Sequence, residues 1–336
     1  MANVPGFSRV NALVRGYQVS RLIEIACSLE VADRIGAVGR PISELAAECG
    51  ADPERLERLL CALSAFGLFT VSNAGDVSHT EDSRHLRKDS VPTLHYASRY
   101  YGMASSWAVW GAAGQAMSGD TPFEAEYGKP YFDYLAQNPA EAAIFDAFMQ
   151  HSPDDRHAAV VDAYDFSQAQ LVVDVGGGNG ALLAAILGRY PGPRGILLDQ
   201  AATRSMDQTV FGAAAGRCTI DTGNFFDRIP AGGNIYTMSQ ILHDWNDARC
   251  LVILSRCREA IRADGSLLVI ERVLDATPGE TDPINFLADM HMMMLYPGAK
   301  ERSLAEYAVL FRHTGFGEPR LIRTRSAFSI VETKPA

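Results

Sequence analysis

Residues 171–180 read Leu-Val-Val-Asp-Val-Gly-Gly-Gly-Asn-Gly, and no other stretch limits the possible folds as tightly. An apolar, β-branched run ends in four glycines within five residues, and an apolar helical segment follows. That order predicts a buried strand, a tight turn and a helix N-terminus. Glycines permit positive φ in the turn and let a ligand approach the backbone. The helix start presents N–H groups with no intrahelical partner. A plain glycine turn explains four glycines less well than a cradle for a nucleotide-like cofactor.

Gly176, Gly178 and Ala181 satisfy the dinucleotide pattern G-x-G-x-x-G/A, so a nicotinamide or flavin reading competes. Asp174, two positions before the first glycine, separates the readings. Its carboxylate would repel a pyrophosphate and suit a ligand with an ammonium group. S-adenosylmethionine carries an ammonium and a sulfonium, and Gly180 fits the methyltransferase form of the loop. The loop therefore favours S-adenosylmethionine.

From residue 171 onward, strands are expected at 171–175, 195–198, 217–221, 234–239, 266–272, 318–323 and 327–332. Helices are expected at 180–188, 203–213, 247–262, 282–294 and 303–314. Strands separated by helices imply an α/β fold with a parallel, doubly wound sheet. Ligands in such sheets sit at the carboxyl ends of the strands. Asp174 and Asp199 fall at the ends of the first two strands, and Asp221 at the end of the third. Asp199 is placed to accept from ribose hydroxyls; a solvated loop carboxylate is the alternative.

Residues 7–38 are expected to be helical, with two shorter helices at 42–49 and 53–66. Ser43 and Asp52 are candidate N-caps. A hairpin over 68–77 turns at Asn73-Ala74-Gly75. Helix, helix, then hairpin is a winged-helix order, which raises a DNA-binding regulator as a possibility. The charges oppose it. Residues 1–90 hold ten Lys/Arg against twelve Asp/Glu, and the helix at 53–66 offers only Arg55 and Arg58 against Glu54 and Glu57. Its other residues include Leu56, Leu59, Leu60, Ala62, Leu63 and Phe66, which suits packing on protein rather than on phosphates. Residues 91–165 form an aromatic-rich helical connector.

The 336 residues suffice for two domains, and a net charge of −10 gives a nucleic-acid substrate no electrostatic help. The six cysteines are scattered, with no Cys-x-x-Cys pair, and read as free thiols in a reducing, cytoplasmic compartment. No histidine spacing suggests a metal. No apolar run approaches the roughly 20 residues of a membrane span, and no signal peptide is evident.

The fourth expected strand runs into Ser239-Gln240-Ile241-Leu242-His243-Asp244-Trp245. His243 thus follows a strand's carboxyl end, on the ligand side of the sheet. A histidine titrates near neutral pH, as a general base must. Glu271, ending the fifth strand, and Glu301 could orient it, although spacing alone leaves their roles open.

The loop 171–180, the His243-Asp244-Trp245 triplet, Glu271 and Lys300-Glu301-Arg302-Ser303 occur together and in this order in one family. The chain resembles the plant caffeate/flavonoid-type S-adenosylmethionine-dependent O-methyltransferases and their bacterial natural-product branch, over almost its whole length. The resemblance implies a winged-helix-like dimerisation domain over 1–95, a connector over 96–165 that contributes to the acceptor pocket, and a Rossmann-like methyltransferase domain over 166–336. It implies a homodimer with no metal. It further implies that Asp174, Gly176 and Gly178 hold the methionine part of the cofactor and Asp199 the ribose. Asn224 and Phe225 lie beside the adenine, and Ser239 belongs to the same cofactor side. His243 is the base, with Glu271 and Glu301 flanking it. Phe145, Met149, Gln240, Asp244, Met292 and Tyr296 fall on the acceptor.

Some positions depart from the pattern. Asn224 stands where an acidic residue is usual. Ser239 and Gln240 replace a frequent lysine and tryptophan, which removes a charge and opens room near the acceptor. Met290, Met292, Met293 and Met294 share one expected helix and cannot all face one pocket. The reaction implied is methyl transfer to a hydroxyl, expected to be phenolic, on a small aromatic or polyketide-type molecule. The alternatives are hydroxylation, decarboxylation or pericyclic chemistry on the same fold, and the regulator.

Overall fold

The computed structural model describes residues 6–151, 155–200, 208–274 and 282–336. The chain divides into two compact units: Met1–Ala108 with Leu135–Pro153, and Val109–Tyr134 with Asp154–Ala336. The connector expected at 96–165 contributes residues to both.

In the first unit the expected helix over 7–38 is broken. A helix runs Phe7–Ser28, and Glu30 takes a left-handed φ of 55° before a short helix Val31–Arg34. The helices Ile42–Cys49 and Pro53–Ser64 follow. Asp52 caps the second, accepting from the Arg55 N–H at 3.0 Å, as expected. Ser43 does not cap the first: Pro41 holds the cap position and Ser43 lies inside the helix. Strand β1 (Arg40–Pro41) pairs with β3 (Asp76–His79), which pairs with β2 (Phe69–Val71), all antiparallel. Leu56, Leu60 and Leu63 are buried with Val31, Ile42, Leu45, Phe69 and Val77. The helix Pro53–Ser64 therefore spends its apolar face on protein, while Phe66, beyond its end, stays 60% exposed.

The second unit is built on a seven-stranded sheet. Its strands are β4 (Leu171–Val175), β5 (Arg194–Asp199), β6 (Cys218–Thr222), β7 (Ile235–Ser239), β8 (Ser266–Glu271), β11 (Arg320–Arg323) and β12 (Ser329–Thr333). A two-stranded parallel pair, β9 (Val273–Leu274) and β10 (Arg302–Ser303), lies between β8 and β11 in the chain. The sheet order is β11-β12-β8-β7-β4-β5-β6. Six strands run in one direction; β12 alone is reversed, antiparallel to both β8 and β11. The last two strands have no helix between them, so they close as a hairpin rather than by a crossover. Of the helix expected at 203–213, residues 203–207 lie outside the described set, and Gln208–Arg217 is a 3-10 segment.

Side chains alternate across β4. Val173 and Val175 enter one buried cluster with Met238, Leu254 and Val269; Val172 enters the other with Leu183, Ile186 and Ile270. Burial on both faces is why these strands read as continuous apolar runs. Strand order reverses at β4, whose neighbours are β5 and β7. The crevice at such a reversal is where ligands bind in this architecture.

Candidate active site

The glycine loop follows β4, and the helix Ala181–Arg189 follows the loop. Gly176 has φ 67°, and a Cβ on it would lie 2.4 Å from Ile241 Cδ1. Gly177, which the dinucleotide pattern passes over, is as restricted: a Cβ there would lie 2.4 Å from Asp174 Oδ2. Asp199 Oδ2 accepts the Gly178 N–H at 2.8 Å and so ties the loop to the end of β5.

Asp174 is fully buried. Its Oδ1 accepts from Thr237 Oγ1 at 2.7 Å, and its Oδ2 has no hydrogen-bond partner among the described residues. Burial, reinforced by Asp199 and opposed by Thr237, pushes its carboxyl up to about 7. A buried acceptor oxygen with nothing to accept from costs free energy until a donor arrives. The ammonium of S-adenosylmethionine is such a donor, so the residues present fit that cofactor.

Asn224 Oδ1 accepts the Phe226 N–H at 2.9 Å and shapes the turn after β6. Phe225 packs edge-on to Trp245, with centroids 6.3 Å apart, and lies against Gly176. Asp221 does not face the crevice alone: Arg228 holds both its oxygens, at 2.5 and 2.6 Å.

Ser239 ends β7. Gln240 then takes a left-handed φ of 54°, a conformation that costs a non-glycine residue on the order of 1–3 kcal/mol and tends to occur at functional sites. Its Oε1 is buried without a partner among the described residues. His243 comes next, in the turn Leu242–Asp244. Its Nδ1 donates to Glu301 Oε1 at 2.9 Å and lies 3.7 Å from Glu271 Oε2. Its Nε2 lies 3.3 Å from Asp244 Oδ1. Glu271 Oε1 accepts the N–H groups of Ile241 and Leu242, both at 3.0 Å, so Glu271 braces the backbone leading to His243.

The near-neutral titration expected of His243 is not what its surroundings produce. Burial alone would lower its pKa; Glu271, Glu301 and Asp244 more than reverse this and raise it to about 10. Burial also pushes Asp244 up to about 6 and Glu271 up to about 7. One donor atom each from His243, Glu271 and Glu301 lies within 4.8 Å of the others, a spacing a metal could use. The Nδ1 contact to Glu301 has the length of a hydrogen bond, which that proton satisfies.

Met292 and Tyr296 are half-buried at the end of the helix Pro283–Leu295, and Met294 is plain core. Tyr296 packs edge-on to Tyr131 and tilted to Phe132, with centroids 5.7 and 5.5 Å away. Phe145 and Met149 belong to the first unit, on the helix Pro139–Gln150. The sequence did not single out Thr237, Asp289 or Arg302. Asp289 accepts the Glu301 N–H at 2.8 Å.

The profile described as O-methyltransferase domain matches residues 107–317, and that of the O-methyltransferase dimerisation domain matches 11–89. The chain belongs to the O-methyltransferase family. It is 36% identical to the phenazine O-methyltransferase PhzM of Lysobacter antibioticus, over 99% of this chain and 97% of that protein. The crystal structure of LaPhzM superimposes with a TM-score of 0.92 at 36% identity, covering 99% of this chain and 100% of that one. The O-methyltransferase NcsB1 from neocarzinostatin biosynthesis, in complex with S-adenosylmethionine and 2-hydroxy-5-methyl naphthoic acid, is 33% identical. It has a TM-score of 0.78, with 94% of this chain and 96% of that one covered. The protein is thus an S-adenosylmethionine-dependent O-methyltransferase, of the plant caffeate type and close to bacterial natural-product enzymes. Among its described residues no helix is long and apolar enough to cross a membrane.

Proposed function

We propose that this O-methyltransferase methylates a phenolic hydroxyl on a small aromatic or polyketide-type natural product, with His243 as the general base. The observation that carries this reading is the buried contact from His243 Nδ1 to Glu301, which leaves Nε2 as the nitrogen available to an acceptor. Relatives named for phenazine and naphthoate chemistry support a flat aromatic acceptor.

When bound, S-adenosylmethionine would supply the electrophilic methyl group. Asp174, Gly176 and Gly178 would hold its methionine part, Asp199 its ribose, and Asn224 and Phe225 its adenine, with Ser239 also on the cofactor. As the acceptor O–H bond breaks, its proton passes to His243 Nε2. Glu301 fixes the tautomer, and with Glu271 it favours the imidazolium that forms, as in other histidine–carboxylate pairs. Asp244 Oδ1, 3.3 Å from Nε2, would pair with that nitrogen when it carries the proton. Gln240, Asp244, Met292 and Tyr296 would line the acceptor site.

We assign residues 1–95 to dimerisation, 96–165 to a connector and 166–336 to methyl transfer. Phe7, Val10, Leu13, Val14 and Tyr17 form an exposed apolar stripe on the helix Phe7–Ser28, and they support a homodimer. Free cysteines fit a cytoplasmic setting.

The test is a screen over phenolic acceptors, read by mass gain and S-adenosylhomocysteine release. His243→Ala should lower kcat by roughly 10²–10⁴-fold on a weakly acidic phenol. A wild-type rate in that variant removes the base, and a product without the added methyl removes the reaction.

A further inference from the structure

Arg302 is fully buried, which is rare for an arginine, and it touches neither the glycine loop nor any acidic member of the His243 cluster. Its guanidinium is committed instead to the backbone on both sides of His243. Nη1 donates to the Leu242 carbonyl at 2.8 Å, and Nη2 donates to the Trp245 carbonyl at 2.7 Å. Nε and Nη2 also meet Asp247 Oδ1, at 3.1 and 2.8 Å. The loop from 242 to 247 is therefore gripped at three points, with His243 and Asp244 between the first two.

The grip reaches the other two members of the cluster through the backbone. Arg302 pairs with Val273 in the β9–β10 ladder, two residues beyond Glu271. Glu301 is its chain neighbour. The Lys300 N–H donates to the His243 carbonyl at 3.1 Å, and a Cβ on Gly298 would lie 2.8 Å from Asn246 Cβ. Segments 241–247, 271–274 and 298–303 are thus joined at one residue. Cys250 Sγ reaches the Leu242 and Trp245 carbonyls as well, at 3.3 and 3.4 Å, but a thiol is a weak donor.

We propose that Arg302 is a positioning residue for methyl transfer: its guanidinium fork sets where the His243 imidazole sits relative to Glu271 and Glu301. A planar fork can serve two carbonyls and a carboxylate together; a lysine ammonium, a point charge on a flexible stem, cannot hold the same geometry. The proposal rests on the reading of His243 as the base, and its test separates the two.

Arg302→Lys keeps the charge and loses the fork. Asp247→Asn weakens the grip from its half-exposed end and serves if the lysine variant does not fold. Calorimetry with S-adenosylhomocysteine checks that each variant retains the cofactor site. A misplaced base should lower kcat on a weakly acidic phenol by about 10–100-fold, with acceptor KM changed less than about threefold. The same substitution in a His243→Ala background should cost less than about threefold, because the residue it positions is gone. The ¹³C-labelled His243 resonance, assigned by its loss in His243→Ala, should move in the Arg302 variant without any turnover being measured. An unmoved resonance, or an equal loss of kcat with and without His243, overturns the proposal. If His243→Ala keeps its turnover, the base reading falls, while the resonance still decides whether Arg302 places the imidazole.

Discussion

Glu301→Gln isolates the electrostatic part of the His243 cluster. The glutamine Oε1 can still accept from Nδ1, so the tautomer is retained while one negative charge is lost. A carboxylate 2.9 Å away favours the imidazolium, so its removal lowers the imidazole pKa. A hydrogen bond to a charged group is worth about 1.5–3 kcal/mol. At about 1.4 kcal/mol per pH unit, the midpoint should fall by about 1–2 pH units. The assay is kcat/KM for a weakly acidic phenol against pH, with S-adenosylmethionine saturating. The ascending limb should move to lower pH, and its plateau should drop because a weaker base is left. Stability follows the same sign. His243 is raised from 6.5 to about 10 on folding, so its pairing stabilises fully below 6.5, and that contribution is lost as pH rises through about 10. The Tm difference between wild type and variant should narrow across that window. An ascending limb that stays in place or moves upward, in a folded variant, refutes the assignment of Glu301 as the charge that supports the base.

Cofactor affinity should depend on the ionisation of Asp174. Its carboxyl is raised to about 7, so S-adenosylhomocysteine should bind more tightly as pH rises through 7; Asp174→Asn should be weaker and flat with pH by calorimetry. Loss of that charged contact should cost about 1.5–3 kcal/mol, or roughly 10–150-fold in Kd. Light scattering at low micromolar concentration should report a dimer, and Leu13→Asp with Val14→Asp on the exposed stripe should shift it toward monomer. Exhaustive chelation should leave methyl transfer unchanged; a rate restored by added zinc or magnesium would put the His243–Glu271–Glu301 donors to a different use.

The sheet is legible in the sequence because its parallel strands are buried on both faces. Leu171–Val175 and Ser266–Glu271 appear as apolar runs whose ends differ little from the expected ones. Where a boundary depends on one residue's backbone, the pattern is silent. The helix Phe7–Ser28 ends because Glu30 turns left-handed, although apolar spacing continues past it. Ser43 looks like a cap by composition, yet Pro41 starts the helix and takes the position. Both outcomes follow from tertiary packing overriding a local preference that is worth only about 1 kcal/mol.

The site divides along the same line. Asp174, Asp199 and His243 are legible because each ends a strand or follows one, and the topology brings strand ends together. Arg302 is not legible. Lys300-Glu301-Arg302-Ser303 carries the family resemblance without giving Arg302 a role of its own, and only the carbonyls of Leu242 and Trp245, some sixty residues earlier in the chain, show its buried one. The basicity of His243 is hidden for the same reason. It follows from Glu271 and Glu301, distant in sequence, being enclosed beside the imidazole where solvent cannot screen them. An imidazole held that basic suits an acceptor whose hydroxyl gives up its proton reluctantly. For an acceptor already ionised in solution, the same imidazolium would instead be a counter-ion for the phenolate. The chain therefore places this histidine by a local motif, and sets how strongly its imidazole holds a proton only through the fold.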